Sequence, residues 1–242
     1  MALELVLASA SPRRREILSY LKLPFMVQPA DVDETPLPGE SPSNMVLRLS
    51  RAKAAALSDS RGKPAAVDPA SRHEASPAGP RRKAAGAPAE IERHDRLGVD
   101  EKVVIAADTT VALDDLIIGK PTSAADAEFI LRQLNGRMHQ VFTGLTLGTA
   151  GGRQWSALCE TRVYMRRYDQ AELVAYVASG EVYDKAGAYA IQDALFHPVE
   201  RIEGCYLNVM GLPLCEVING LQELGIEIDA TEPVAHDTLG VS

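Results

Sequence analysis

Three consecutive arginines near the start of the chain could bind an anion. Residues Ser9 to Arg15 read Ser-Ala-Ser-Pro-Arg-Arg-Arg. Ser11 is a favourable N-cap and Pro12 suits the first helical position, so a helix is expected to begin here. Cations in a first helical turn oppose the helix dipole at a cost of roughly 0.3–1 kcal/mol each. A phosphate held by free N–H groups and guanidinium forks would explain them; a solvated basic helix end is the alternative.

A second candidate is a carboxylate that interrupts an apolar stretch. Asp108 follows Val103–Ala107 and precedes Thr109 and Thr110. Burying an aspartate costs free energy unless it is paired or binds a metal. At a strand end facing a cleft, Asp108 could activate water or bind a divalent cation. A turn-forming or capping aspartate is the alternative interpretation.

Two lysines could reach a phosphate, although neither is diagnostic by itself. Lys120 follows Ile118-Gly119 at a predicted strand exit. Lys53 lies within the apolar face of a predicted helix, where a lysine more often extends its ammonium group into solvent.

Two late segments combine small residues with polar side chains. Residues 184–192 read DKAGAYAIQ and residues 204–214 read GCYLNVMGLPL. Small residues allow close approach of the backbone, and the Gln192 carboxamide offers a paired donor and acceptor suited to a base edge. By themselves these segments predict a loop and a core strand.

Alternating strand and helix patterns would position these candidates. Strands are predicted at 3–7, 103–107, 111–118, 140–149 and 155–165, with an extended stretch at 27–33. Helices are predicted from residue 12 and at 43–57, 123–134, 169–178 and 213–224. Gly151-Gly152 separates the last two strands and indicates a hairpin. The pattern predicts an α/β (mixed α+β) fold with a mixed sheet.

Composition limits the classes of function. The chain has 242 residues, of which 46% are hydrophobic, enough for a large core. Its net charge of −8 provides no basic footprint for nucleic acid, so an anionic substrate needs a local cluster of cations. The longest apolar runs are of strand length, and no membrane span is expected.

The three cysteines and two segments of unusual composition or position give further expectations about the protein. Cys159, Cys205 and Cys215 have no metal-ligand spacing and are odd in number, which favours a reducing cytoplasm and small buried side chains. Residues 61–98 are rich in Ala, Pro, Arg and Gly and predict a low-order insertion, with a partner-binding loop around Arg81–Lys83 as the alternative. Residues 230–242 predict a frayed tail.

Taken together and in order, the segments resemble the Maf family of nucleotide pyrophosphatases. SASPRR matches its opening motif, ADTTV with IIGKP its central motif, and DKAGAYAIQ and YLNVMGLPL its late motifs. The late motifs have the form of the branch that acts on dTTP and UTP. The resemblance implies one catalytic domain over 1–242 with a bent mixed sheet, flanking helices and a central cleft, similar to inosine-triphosphate pyrophosphatases. It also implies a homodimer. The insertion is the departure, because relatives are usually shorter there.

The resemblance also implies a role for each matching position. Asp108 would be the catalytic acid/base. Nucleotide specificity would be set by Arg13, Thr109 and Gln192. Phosphate would be bound by Ser9, Arg14, Lys53, Lys120 and Lys185. A divalent cation, Mg²⁺ or Mn²⁺, would be held by Glu34 and Asp108, with Glu34 in the acidic segment Val32-Asp33-Glu34-Thr35.

The expected reaction is hydrolysis of an acid anhydride, in which water attacks the α-phosphate and pyrophosphate leaves. The sequence does not decide whether Asp108 deprotonates water or chiefly holds the metal. Two alternatives remain open at this point. One is the same chemistry on 7-methyl-GTP, and the other is a nucleotide-binding regulator of septum formation with little turnover.

Overall fold

The computed structural model of the protein describes residues 3–58, 102–114 and 116–228. The expected insertion at 61–98 and the expected tail at 230–242 lie outside these ranges. The strands are β1 (Glu4–Leu7), β2 (Phe25–Val27), β3 (Lys102–Leu113), β4 (Leu116–Ile118), β5 (Met138–Thr149), β6 (Gln154–Met165) and β7 (Val199–Glu203). The helices are α1 (Pro12–Ser19), α2 (Pro42–Ser58), α3 (Ala124–Leu134), α4 (Gln170–Ala178), α5 (Tyr206–Met210) and α6 (Leu214–Glu223), with a 3-10 turn at Ala186–Ala188.

The described strands form one mixed sheet in the order β2-β1-β3-β5-β6-β7, and β4 pairs with the far end of β3. β1 is parallel to β2 and β3, whereas the remaining pairs are antiparallel. Parallel neighbours need a crossover, and α1 and α2 lie in the connections that follow β1 and β2. The predicted mixed sheet with flanking helices and the β5–β6 hairpin are confirmed.

The central strand is longer than the sequence pattern predicts. Separate strands were expected at 103–107 and 111–118, but β3 runs without a break through Asp108 to Leu113. Its pairing with β5 continues from Val103 opposite Thr149 to Ala112 opposite Gln140. Asp108 therefore lies within a strand, and the expectation of a strand end is wrong.

Helix α2 packs directly on the middle of the sheet. A Cβ atom added to Gly144 of β5 would lie 2.3 Å from the carbonyl oxygen of Val46 in α2. Only glycine fits this approach, because a real Cβ atom cannot come so close to backbone. The contact sets the height of α2 above the sheet, and with it the position of Lys53, about two turns further along the helix.

The late part of the chain differs from the prediction in two elements. β7 was not expected, and Tyr206–Met210 forms the short helix α5 where a core strand was predicted. A mostly apolar segment of five residues is too short for its periodicity to separate a buried strand from a buried helix. The extended stretch was predicted at 27–33, but the strand in this region lies earlier, at Phe25–Val27, and residues 28–33 belong to no strand or helix.

Three smaller expectations from the sequence can be compared with the structure. Ser11 is the N-cap of α1, as predicted, and its side chain accepts a hydrogen bond from the Arg14 amide. Among the described residues the three cysteines form no disulfide, and they are half-buried rather than buried. No helix in the described ranges has the length and apolar character to span a membrane.

Candidate active site

One cleft of about 690 Å³ is bordered by every residue for which the sequence predicted a role in the site. These residues are Ser9, Arg13, Arg14, Glu34, Lys53, Asp108, Thr109, Lys120, Lys185 and Gln192. They come from the loops after β1 and β2, from α1, α2 and β3, and from the segments after β4 and α4. The structure thus brings the candidates together, while the role of each stays a prediction.

The period of two along β3 divides its polar residues between the two faces of the sheet. Val104 and Ala106 pack in the cluster that includes Ala54 of α2, and Val103 and Ile105 pack with α1 and α6. Asp108 continues the first series, so its side chain meets α2. Thr109 continues the second and meets the α1 side of the sheet.

A single lysine joins two carboxylates at the base of the cleft. The Lys53 Nζ atom lies 2.6 Å from Asp108 Oδ1 and 2.6 Å from Glu34 Oε1. Lys53 is only 7% exposed and Asp108 only 8%. The expectation that Lys53 extends into solvent is therefore wrong. Its stem is buried between helix and sheet, and its charge is matched by two acids.

The pKa values of the two carboxyl groups are shifted in opposite directions. Burial raises the pKa of Asp108 above its ordinary value, against the opposing charges of Lys53 and Arg14. Burial also acts to raise the pKa of Glu34, but the hydrogen bond and charge of Lys53 outweigh it and hold that pKa below its usual range. Asp108 is thus a stronger base than a free aspartate, and Glu34 stays ionised at neutral pH.

The donor set suits a hard divalent cation that binds together with a phosphorylated ligand. The Glu34 and Asp108 carboxylates converge on one point, where Lys53 Nζ contacts both. Within the described ranges, no three His, Cys, Asp or Glu side chains cluster to form a complete metal site. Magnesium is commonly bound by one or two carboxylates with water and substrate phosphate supplying the other ligands, so the residues fit this arrangement.

Arg14 links three segments behind the cleft. Its Nε donates to Gly211 O at 2.8 Å, and its Nη1 donates to Ala107 O at 2.8 Å and to Ser9 Oγ at 3.3 Å. Its Nη2 donates to Thr109 Oγ1 at 3.0 Å. Four of the five guanidinium N–H groups thus point at protein acceptors. A phosphate role for Arg14 would use the remaining N–H group or replace one of these bonds.

The Thr109 hydroxyl belongs to the same network. It lies 2.9 Å from Thr143 Oγ1 and 3.4 Å from Gly211 O, in addition to its contact with Arg14. Gly211 ends α5 with a φ of 110°, a conformation that other residues rarely adopt. Because the hydroxyl is engaged within the protein, any effect of Thr109 on specificity would come from its methyl group or through Arg14.

Asp184, for which the sequence predicted no role, contacts two of the cationic side chains that border the cleft. Asp184 accepts a hydrogen bond from Arg13 Nη1 at 2.8 Å and from Lys185 Nζ at 2.6 Å. Lys185 also donates to the backbone oxygen of Glu181. Burial acts to raise the pKa of Asp184, but Lys185 and Arg13 outweigh it and the pKa is lowered. The sequence signal was an acid directly before a predicted phosphate-binding lysine. Lys120 and Gln192 also border the cleft, at exposed positions.

The chain matches known proteins over most of its length. The family model described as "Maf-like protein" matches residues 4–224. A dTTP/UTP pyrophosphatase of Citrifermentans bemidjiense is 38% identical over 224 residues, covering 91% of this chain and 95% of that protein. A dTTP/UTP pyrophosphatase of Anaeromyxobacter dehalogenans is 39% identical over 236 residues, covering 96% of this chain and all of that protein. One from Myxococcus xanthus is 40% identical over 224 residues, covering 93% and 94%.

Solved structures give much weaker likenesses. A nucleoside-triphosphatase / dITP/XTP pyrophosphatase from Mycobacterium abscessus has a TM-score of 0.35 and 13% identity, covering 68% of this chain and 75% of that chain. The Ham1 protein of Staphylococcus aureus has a TM-score of 0.35 and 14% identity, covering 67% and 71%. Likenesses of this size carry no argument about this chain.

Proposed function

The chain belongs to the Maf family, and from this premise we propose that it hydrolyses dTTP and UTP to the nucleoside monophosphate and pyrophosphate. The observation that carries the proposal is the contact of Lys53 with both Glu34 and Asp108 at 2.6 Å, at the base of a cleft bordered by further cations. Curated relatives named dTTP/UTP pyrophosphatase align with more than nine-tenths of the chain, which supports the choice of nucleotide.

The cleft supplies the local positive charge that the net charge of the chain lacks. Arg13 and Lys120 border it at partly or fully exposed positions, whereas Lys53 and Lys185 border it with buried side chains. A triphosphate entering the cleft would meet N–H donors from each of these side chains. Asp184 holds Arg13 and Lys185 in place before the nucleotide binds, so less side-chain entropy is lost on binding.

The reaction that fits this geometry is attack of water on the α-phosphorus. Asp108 accepts a proton from the water while the water oxygen forms a bond to the α-phosphorus. The bond between the α-phosphorus and the oxygen that bridges it to the β-phosphorus breaks, and pyrophosphate leaves. Lys53 keeps Asp108 ionised until the proton arrives, while burial makes the carboxylate basic enough to take it. Cationic side chains around the phosphates stabilise the charge that builds up in the transition state.

A divalent cation, Mg²⁺ or Mn²⁺, belongs to the same proposal. Glu34 and Asp108 would hold it, with phosphate oxygens and water as its other ligands. When bound, it supplies neutralisation of the charge that develops on the phosphates. Lys53 contacts the same two carboxylates and would share them with the cation.

The test of the proposed substrate is a nucleotide panel with the wild type and Gln192→Ala. We expect the wild type to prefer dTTP and UTP over ATP, GTP and 7-methyl-GTP. A pyrimidine with a 4-oxo group and an N3–H can pair with both ends of a carboxamide. Removing the carboxamide should lower kcat/KM for dTTP about tenfold, since an unpaired base group costs about 1–3 kcal/mol. Pyrophosphate release measures each rate.

The control is Gln133→Ala, which makes the same change on α3, away from the residues that border the cleft. It should leave all rates unchanged. A wild type that prefers 7-methyl-GTP by a wide margin would assign the chain to the other branch. Equal slowing of every nucleotide by Gln192→Ala would place Gln192 at the phosphates or in the scaffold. Nucleotide binding without pyrophosphate release would favour the regulator.

A further inference from the structure

A buried polar pair lies beneath the segment that carries Lys185 and Gln192. His139 of β5 is 1% exposed, and Tyr189 is 5% exposed. The His139 Nε2 atom lies 2.7 Å from the Tyr189 hydroxyl oxygen, and the two rings meet edge to face with centroids 5.4 Å apart. Tyr189 belongs to the 184–192 segment, along which several residues border the cleft.

Stability alone does not account for this pair. Burial lowers the pKa of His139 to about 3, so the imidazole is neutral and carries one N–H. Burial also raises the pKa of Tyr189, so its hydroxyl stays protonated. The pair then has two hydrogens and one mutual hydrogen bond, and His139 Nδ1 has no partner among the described residues. One buried hydrogen is left without an acceptor there, a cost that two apolar rings would avoid.

The segment that the pair holds is constrained at several points. The Gly187 amide donates to Gly119 O at 3.1 Å, and the Ala190 amide donates to the Tyr176 hydroxyl at 3.1 Å. Between them, Ala188 has a φ of 60°, a left-handed conformation that is uncommon for a residue with a Cβ atom. Such a conformation persists where surrounding contacts impose it, and Tyr189 is the next residue along the chain.

We propose that His139 is a positioning residue for the nucleotide site, which acts through Tyr189 to fix the 184–192 segment. The His139–Tyr189 hydrogen bond, which is the tether of this segment, lies between Lys185 and Gln192 along the chain, and both of these residues border the cleft. Fixing the segment in its middle places both side chains at once, and small errors in such placement weaken the recognition of a bound substrate. This inference rests on the proposed function.

The test uses Tyr189→Phe, His139→Phe and the double variant. Each single change leaves one polar partner unpaired in the core, so we expect Tm to fall. The double variant replaces the polar pair by two apolar rings, so its Tm should recover towards the wild type. The KM for dTTP should nevertheless rise about five- to tenfold in all three variants, with kcat within about twofold, because the tether is absent in each. Tyr168→Phe removes a buried hydroxyl that donates to Leu131 O outside the cleft and is the control.

Hydrogen exchange without nucleotide tests the tether independently of catalysis. Amides in peptides covering 184–192 should exchange about tenfold faster in the double variant than in the wild type, and at the wild-type rate in Tyr168→Phe. Failure of the wild type to release pyrophosphate would remove the proposed function and leave this measurement intact. Wild-type exchange or a wild-type KM in the double variant would overturn the inference, as would KM values that simply follow Tm.

Discussion

Asp108→Asn should lower kcat for dTTP by at least about a hundredfold while the protein stays folded. The amide keeps the shape of the side chain but cannot accept the proton of the attacking water, and a general base commonly contributes a hundredfold or more. The fold of this variant has to be checked, because the Asp108 carboxylate is buried and contacts Lys53 at 2.6 Å. Pyrophosphate release measures the rate, and thermal unfolding shows whether the fold is kept.

The control for this variant is Asp114→Asn, which makes the same change at an exposed position beyond the end of β3. It should leave the rate unchanged. A titration with Mn²⁺ separates the two roles of Asp108. If Asp108 is the base, saturating metal does not restore the rate of Asp108→Asn. Full restoration would assign Asp108 to metal binding, and a near-normal kcat without added metal would remove it from the mechanism.

Lys53→Met should produce a loss of activity that depends on pH. Without Lys53 the buried Asp108 keeps Glu34 as a neighbouring negative charge and loses its closest cation. Loss of an opposite charge at this distance raises a carboxyl pKa by about 1–3 units. Asp108 works in its ionised form, and that form is lost as pH falls through the pKa. The loss should therefore reach about ten- to a thousandfold on the acid side and shrink as pH rises.

Lys102→Met is the matched control for the pH profile. Lys102 begins β3 and donates to Leu57 O at 3.1 Å, but it does not border the cleft. Its removal should leave the profile of kcat/KM against pH in place. A Lys53→Met profile reduced by the same factor at every pH would show that Lys53 acts on the phosphates and does not maintain the charge of Asp108.

The sequence predicted which residues meet in the cleft because its motifs, taken together and in order, resemble one family, although each motif by itself had another interpretation. Ser11 and Pro12 marked the start of α1, and the arginines there opposed the helix dipole, which an anion or a solvated basic helix end could explain. The break in apolar character at Asp108 likewise indicated a special environment. Motif order then connected segments that are far apart in the chain.

The sequence did not predict how the side chains share their contacts. The contacts of Lys53 join it to Glu34 and Asp108, which are distant from it in the chain, so the sequence pattern alone favoured a solvent-exposed ammonium. The role of Asp184 depends on its distance from Arg13, which is 171 positions away. Thr109 is adjacent to Asp108 yet faces the opposite side of the sheet, a consequence of the strand continuing where the pattern suggested an end.

Hydrolysis of dTTP in ¹⁸O-labelled water tests the central claim most directly. The account predicts pyrophosphate and thymidine monophosphate as the products, with the label in the monophosphate, because water bonds to the α-phosphorus. Mass spectrometry of both products reads the position of the label. Label in pyrophosphate, or release of orthophosphate with the diphosphate as the other product, would show attack at another phosphorus and contradict the account.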